Sequence, residues 1–160
     1  MIRLVTWLVL LVVIAPMTLL ISCQSRLIYF PRPYGPGTTA EFVRKTGGKF
    51  IDYETSQGKQ RAFLQGNLKS PRNLWVFCGG NGTVALDWSE WLGNHAPQQD
   101  AWLLIDYPGY GDCQGAPNPN RIRENLKAAV PVARKLSAGR EISIPVNYES
   151  LATAWGAQLV

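Results

Sequence analysis

The chain has 160 residues, with 16 lysines and arginines against 11 aspartates and glutamates, three cysteines and one histidine. That length allows one globular domain, and 46% hydrophobic against 17% charged residues excludes a disordered or acidic-tail protein. The lone His95 excludes most His-built metal sites and leaves a Ser-His-Asp mechanism a single candidate base; neither a metal nor a cofactor is expected.

The first acidic residue is Glu41, and Leu4 to Ser22 carries no charge at all. Only Thr6, Pro16, Thr18 and Ser22 interrupt its apolar run. A signal-peptide core takes ~7–15 residues and a spanning helix ~17–25. Residues 1–22 are therefore expected to form a hydrophobic anchor helix, left uncleaved. Leu20-Ile21-Ser22-Cys23 offers a second outcome, because it resembles a bacterial lipobox in which Cys23 becomes a lipidated N-terminus. Either outcome makes a membrane the expected partner, and in a bacterium places the domain outside the cytoplasm, at the inner membrane or cell envelope. Arg3, Arg26 and Arg32 flank the run almost evenly, so orientation is weakly specified. The net charge of +5 is dispersed, with no basic stripe interleaved with aromatic residues, so nucleic acid is not an expected partner.

Residues 23–48, with Pro31, Pro33 and Pro36, read as an extended lead-in, and 49–160 as the globular part. Lys49 to Glu54 alternates like a strand, Gln57-Gly58 signals a turn, and Gln60 to Gln65 completes a hairpin. Leu74 to Cys78 is a continuous apolar run of the kind buried on both faces. After Gly79-Gly80-Asn81-Gly82, helical spacing returns at Val84, Trp88, Trp91 and Leu92. Ala101 to Ile105 is a second buried strand. Asn118 to Ser137 predicts a helix capped by Asn118, with Pro119 at its first position and a kink at Pro131. Glu141 to Val146 is a short strand candidate. The order is hairpin, then strand-helix-strand-helix-strand, which predicts an α/β domain with parallel strands and flanking helices.

Two readings compete for the first loop. Gly80-Asn81-Gly82-Thr83-Val84-Ala85 fits a dinucleotide fingerprint, with Asp100 or Asp106 near the distance for a ribose contact. Such a fingerprint normally follows the first strand of its domain, however, and here a hairpin precedes it. The second reading starts from Ile105-Asp106-Tyr107-Pro108-Gly109-Tyr110-Gly111-Asp112-Cys113-Gln114-Gly115. This run resembles the strand-end signature of the α/β-hydrolase family, with Cys113 where serine is usual. Phe77-Cys78-Gly79-Gly80-Asn81-Gly82 is similar to that family's oxyanion loop, with Cys78 where histidine is common. Gln24 to Pro31 looks like the segment that follows the anchor in membrane-bound members. The resemblance covers about residues 24–137, the N-terminal half of the family's domain. It implies a small acyl substrate, hydrolysed at an ester, thioester or amide bond through an acyl-enzyme. It also implies that the backbone amides of Gly80 or Asn81 form the oxyanion hole, with Gly79, Gly82, Asp106, Gly109 and Gly111 shaping the loops. Asp106 is expected to be structural, accepting turn amides.

The pattern then fails. The family's nucleophile sits in G-x-S-x-G, and here Ala152-Thr153-Ala154-Trp155-Gly156 puts Ala154 in the serine position. Ser150 and Thr153 are hydroxyls in the wrong places, Cys78 has no base to activate it, and His95 follows the wrong helix. No catalytic residue is identifiable, so a truncated or frame-shifted member, inactive alone, is expected. If Leu151 uses a codon ending in G, the DNA under Leu151 to Gly156 read one base out of register encodes a set that includes Gly-His-Ser-Leu-Gly. A membrane-tethered binding protein without chemistry is the alternative to both enzyme and dinucleotide readings. Cys78 and Cys113, at the ends of neighbouring strands, are expected as free thiols, with a disulfide as the other outcome.

Overall fold

The computed structural model describes residues 2–138 and 146–148. Two compact units divide the chain, Met1–Phe30 and Pro31–Val160.

The first unit is helix α1, Ile2–Ile28. Among its described side chains Trp7 is 72%, Leu11 69% and Leu19 65% exposed. Pro16 removes one helical amide. Two residues on, the Thr18 hydroxyl donates to the carbonyls of Ile14 (3.0 Å) and Ala15 (2.9 Å). Among the residues whose side chains are described, no helix is long and apolar enough to cross a membrane. The expected spanning anchor is thus not supported by them. The expected extended lead-in is also corrected at this end, because helix continues to Ile28.

The second unit is a five-stranded mixed sheet with helices on both faces. Its strands are β1 (Lys49–Thr55), β2 (Gly58–Gly66), β3 (Leu74–Cys78), β4 (Ala101–Ile105) and the short β5 (Val146–Tyr148), in the order β1-β2-β4-β3-β5. The hairpin forms as expected, with Lys49 opposite Leu64 and Thr55 opposite Gly58. β2 lies antiparallel to β4, and β3 runs parallel to both β4 and β5. The last strand starts where its expected range ends, and residues 141–145 lie outside the described ones.

Strand alternation sorts side chains into two cores. On one face Ile51, Tyr53, Leu64, Val76, Leu103 and Ile105 pack under Ala129, Val130 and Ala133 of α4 (Pro119–Ala138). On the other, Phe63, Phe77 and Leu104 meet Phe42 of α2 (Thr38–Thr46), Ala85, and Leu92 of α3 (Ser89–His95). α4 starts as the sequence predicts: Asn118 Oδ1 accepts the Arg121 amide at 2.9 Å, and the helix continues through Pro131.

Two local expectations change. The lead-in contains helix α2, framed by Gly37 (φ 82°) and Gly47 (φ 65°). Phe42 drives it onto the sheet, edge-on to Phe63 at 5.2 Å, and Glu41–Lys45 bridges one turn at 2.8 Å. The helix expected from Val84 to Leu92 is divided into a 3-10 turn, Ala85–Trp88, and α3.

Cys78 and Cys113 are free. Cys113 Sγ is held against β2, donating to the Arg61 carbonyl at 3.3 Å and receiving its amide at 3.4 Å. Burial pushes both thiols up to about 12. Alkylation at pH 8 is therefore expected to leave Cys78 and Cys113 unmodified in the folded chain and to modify both after denaturation without reductant. Modification of either at the rate of a free peptide thiol would contradict the packing.

Candidate functional site

Because β3 and β4 are parallel neighbours, the loops that follow them emerge at the same edge of the sheet. The first, residues 79–84, precedes the 3-10 turn; the second runs from Asp106 to Gly115. Asp106, 2% exposed, joins them. Its Oδ1 accepts the Ala85 amide at 2.7 Å, and its Oδ2 accepts the Tyr34 hydroxyl at 2.6 Å. The Tyr34 oxygen in turn accepts the Leu86 amide at 3.1 Å. Burial pushes the Asp106 carboxyl up to about 6; the Tyr34 and Ala85 bonds oppose the rise, and the charges of Asp112 and Asp87 add to it. Burial beside the same carboxylate raises the Tyr34 phenol as well.

A second buried chain of bonds supports the first. Tyr53 donates to Asn125 Oδ1 at 2.7 Å, and Asn125 Nδ2 donates to the Asp106 carbonyl at 2.7 Å. Each of these groups lies where an unpaired partner costs ~1–3 kcal/mol. At the rim, Asp87 accepts the Val84 amide at 3.2 Å and pairs with Arg32. The Arg32 carbonyl accepts the Gly111 amide at 2.9 Å, and Pro33 bridges to Gly111. Residues 32–34 are thus fastened to both loops.

The sequence-predicted residues are placed as follows. Gly109 (φ 86°) and Gly111 (φ 55°) hold the second loop in left-handed turns. Tyr110, 1% exposed, reaches across to donate to the Asn81 carbonyl. Gly80, Asn81 and Gly82 are exposed, and Gly79 is half-buried. The Gly80 amide does not face open space: it donates to Thr83 Oγ1 at 2.8 Å. Among the described residues, the Asn81 and Gly82 amides form no hydrogen bond. The one amide that Asp106 accepts, that of Ala85, belongs to the 3-10 turn rather than to its own loop. Asp100 faces the opposite end of β4, accepting Trp75 Nε1 at 2.7 Å and Asn73 Nδ2 at 3.1 Å. His95 ends α3, stacked on Trp91 at 4.9 Å with Nδ1 2.9 Å from the Trp91 carbonyl. Ser150, Thr153 and Ala154 lie outside the described residues, as does the side chain of Cys23. Among the described residues, no three His, Cys, Asp or Glu side chains gather as a metal site.

Sequence reasoning missed Arg32, Tyr34, Tyr53 and Asn125. Nothing in local spacing marks them, because Tyr34 meets Asp106 across 72 positions. A cavity of about 780 Å³ lies elsewhere: it opens between α2 and α3, against Phe42, Leu86, Leu92 and Trp102.

No family model and no curated protein matches the chain. Among solved structures, an esterase of Pyrococcus furiosus superposes with a TM-score of 0.52 at 16% identity, over 76% of this chain and 46% of the esterase. AbyA5 aligns at 0.43 and 18% identity over 62% of this chain and 34% of its own, too low a score to bear on the fold. The chain spans about half the length of the esterase it matches. The likeness to the esterase shows the fold alone: a mixed α/β sheet with flanking helices.

Proposed function

We propose that this chain is an α/β-hydrolase-type protein whose residue 79–82 loop is the oxyanion side of an acyl-transfer site. The observation that carries the reading is the position of that loop. It follows β3 of a hydrolase-like sheet and is pinned beside the Asp106–Gly115 loop by Tyr110. An oxyanion site needs donors fixed before charge develops, each worth roughly 3–4 kcal/mol. The unbonded Asn81 amide supports it as the donor, and the Gly80 amide would have to leave Thr83 Oγ1 to join it. The substrate class is a small acyl ester, thioester or amide. The charge-free run Leu4 to Ser22 supports placement on a membrane, through a hydrophobic N-terminal segment or a lipidated Cys23.

The dinucleotide reading is disfavoured by charge. A pyrophosphate at this helix start would need the amides of Val84 and Ala85, which two carboxylates, Asp87 and Asp106, already hold.

The reading includes inactivity, because Ala154 stands where the nucleophile is due. Full-length chain in detergent is expected to show no turnover of short-chain p-nitrophenyl esters above buffer and no labelling by a fluorophosphonate probe. Turnover that survives in a Ser150→Ala/Thr153→Ala variant would overturn that part. Sequencing the coding DNA tests the family part: a one-base register change across codons 151–156 is expected to restore G-x-S-x-G.

A further inference from the structure

Asn81-Gly82 is the one Asn-Gly pair in the chain, and the acyl-transfer reading leaves the Asn81 side chain unused. Both residues are exposed. They form the centre of a turn that the Thr83 amide closes on the Gly80 carbonyl at 3.3 Å. Among the described residues, neither the Asn81 side-chain amide nor the Gly82 backbone amide has a hydrogen-bond partner. A β-carbon at Gly82 would meet nothing within 4 Å, so the space beside its nitrogen is open. The Asn81 side-chain carbonyl is thus an electrophile next to an unhindered, unbonded amide. What such an amide lacks in a free peptide is acidity. The Asn81 backbone carbonyl belongs to the same peptide group as the Gly82 nitrogen, and it accepts the hydroxyl of the buried Tyr110. Loss of the Gly82 proton places negative charge on that oxygen by amide resonance. The Tyr110 bond then has a charged acceptor and strengthens.

We propose that Asn81 is a site of spontaneous deamidation, activated in the folded chain by Tyr110. The Gly82 nitrogen gives its proton to solvent and bonds to Asn81 Cγ. The Cγ–Nδ2 bond breaks, the side-chain nitrogen leaves as ammonia, and a succinimide ring closes. Water then opens the ring at either carbonyl. Attack at Cγ breaks its bond to the Gly82 nitrogen and leaves an aspartate. Attack at the backbone carbonyl carbon breaks the original peptide bond and leaves an isoaspartate, with the main chain running through Cγ and a free α-carboxylate. Tyr110 already donates to that backbone carbonyl oxygen, so it favours the isoaspartate. Water is the one co-reactant. This chemistry does not depend on the loop's being the oxyanion side of an acyl site. For that reading its consequence is loss of the site, because either product sets a carboxylate where an oxyanion would form.

The test incubates the full chain in detergent at mildly alkaline pH. Chymotryptic digestion and mass spectrometry follow Asn81, and isoaspartyl methyltransferase counts the isoaspartate. Asn81 is expected to react in the folded chain at least as fast as in the same chain unfolded in guanidinium chloride, and to give a higher share of isoaspartate. Asn94, exposed within α3, is the internal control expected to stay intact. Tyr110→Phe keeps the ring and removes the hydroxyl. It is expected to slow Asn81 about tenfold, the scale of a hydrogen bond whose acceptor becomes charged, and to return the isoaspartate share to that of the unfolded chain. A folded-state rate below the unfolded rate overturns the site. Reaction of Tyr110→Phe at the parent rate overturns its activation by Tyr110. The comparison of folded with unfolded parent needs no variant, so it decides the site whether or not Tyr110→Phe folds.

Discussion

Replacing Gly111 by alanine is expected to cost about 3 kcal/mol of stability, lowering Tm by roughly 10 °C. Two independent causes add. Gly111 sits at φ 55°, where a side chain costs ~1–2 kcal/mol. A β-carbon there would also lie 2.4 Å from Tyr34 Cε2 and 2.5 Å from Asp106 Oδ2. Neither neighbour can yield cheaply, because the two are bonded to each other and together hold the amides of Ala85 and Leu86. The Gly111 amide, fixed on the Arg32 carbonyl, prevents the loop from backing away. Gly82→Ala is the control. It belongs to the neighbouring loop, yet a β-carbon there meets nothing within 4 Å, so its stability should stay within ~0.5 kcal/mol of the parent. Urea unfolding of the two variants side by side checks the contrast. Equal stabilities would mean that the close approach of residues 32–34 to Gly111 is not a feature of the folded protein.

The same residues show what the sequence could and could not disclose. β3 and β4 were legible because five-residue apolar runs bounded by glycine or aspartate have few alternatives in a small α/β domain. Gly109 and Gly111 occupy left-handed turns, a backbone conformation that their spacing after Asp106 did not specify. Helix α2 was hidden because its start is a glycine without a side-chain cap and its neighbourhood is rich in proline. Phe42 is its one buried residue, with the adjacent Val43 partly packed on the same core, and two adjacent apolar residues leave no helical period to read. The helix after the first loop had the right period but the wrong pitch at its start. Two carboxylates, one of them 21 positions downstream, take the amides of Val84 and Ala85. Tyr34 was invisible for the strongest reason. Its role depends on the topology that brings residue 34 to the end of β4, and no local pattern encodes that distance.

Asp106 carries the second large effect, and its sign is set by burial. Asp106→Ala is expected to destabilise by roughly 3 kcal/mol, because it leaves the Ala85 amide and the Tyr34 hydroxyl buried without their acceptor. Asp106→Asn keeps the shape and one acceptor, so it separates charge from hydrogen bonding. The carboxyl titrates near 6 in the folded chain against an ordinary 3.8. The folded state therefore holds this proton more tightly than the unfolded state. The extra stability is fully present below about 4 and is lost as pH rises through about 6. Two units correspond to roughly 3 kcal/mol between those limits. Other carboxylates pull the opposite way on acidification: Asp52 is held low by Arg61, Glu41 by Lys45 and Glu124 by Ser56. Those groups are common to parent and variant, so they cancel in the difference between the two stability curves. The parent is expected to gain on Asp106→Asn as pH falls from about 7 to about 4, with the steepest change near 6. Urea titrations across that range measure it. A flat difference curve, or one that rises with pH, would show that the carboxylate is charged at little cost. The amides of Ala85 and Leu86 report the same step locally, because both depend on the Asp106–Tyr34 pair. If their hydrogen exchange, corrected for its intrinsic pH dependence, shows no step near 6, Asp106 titrates without moving the turn that follows the proposed oxyanion loop.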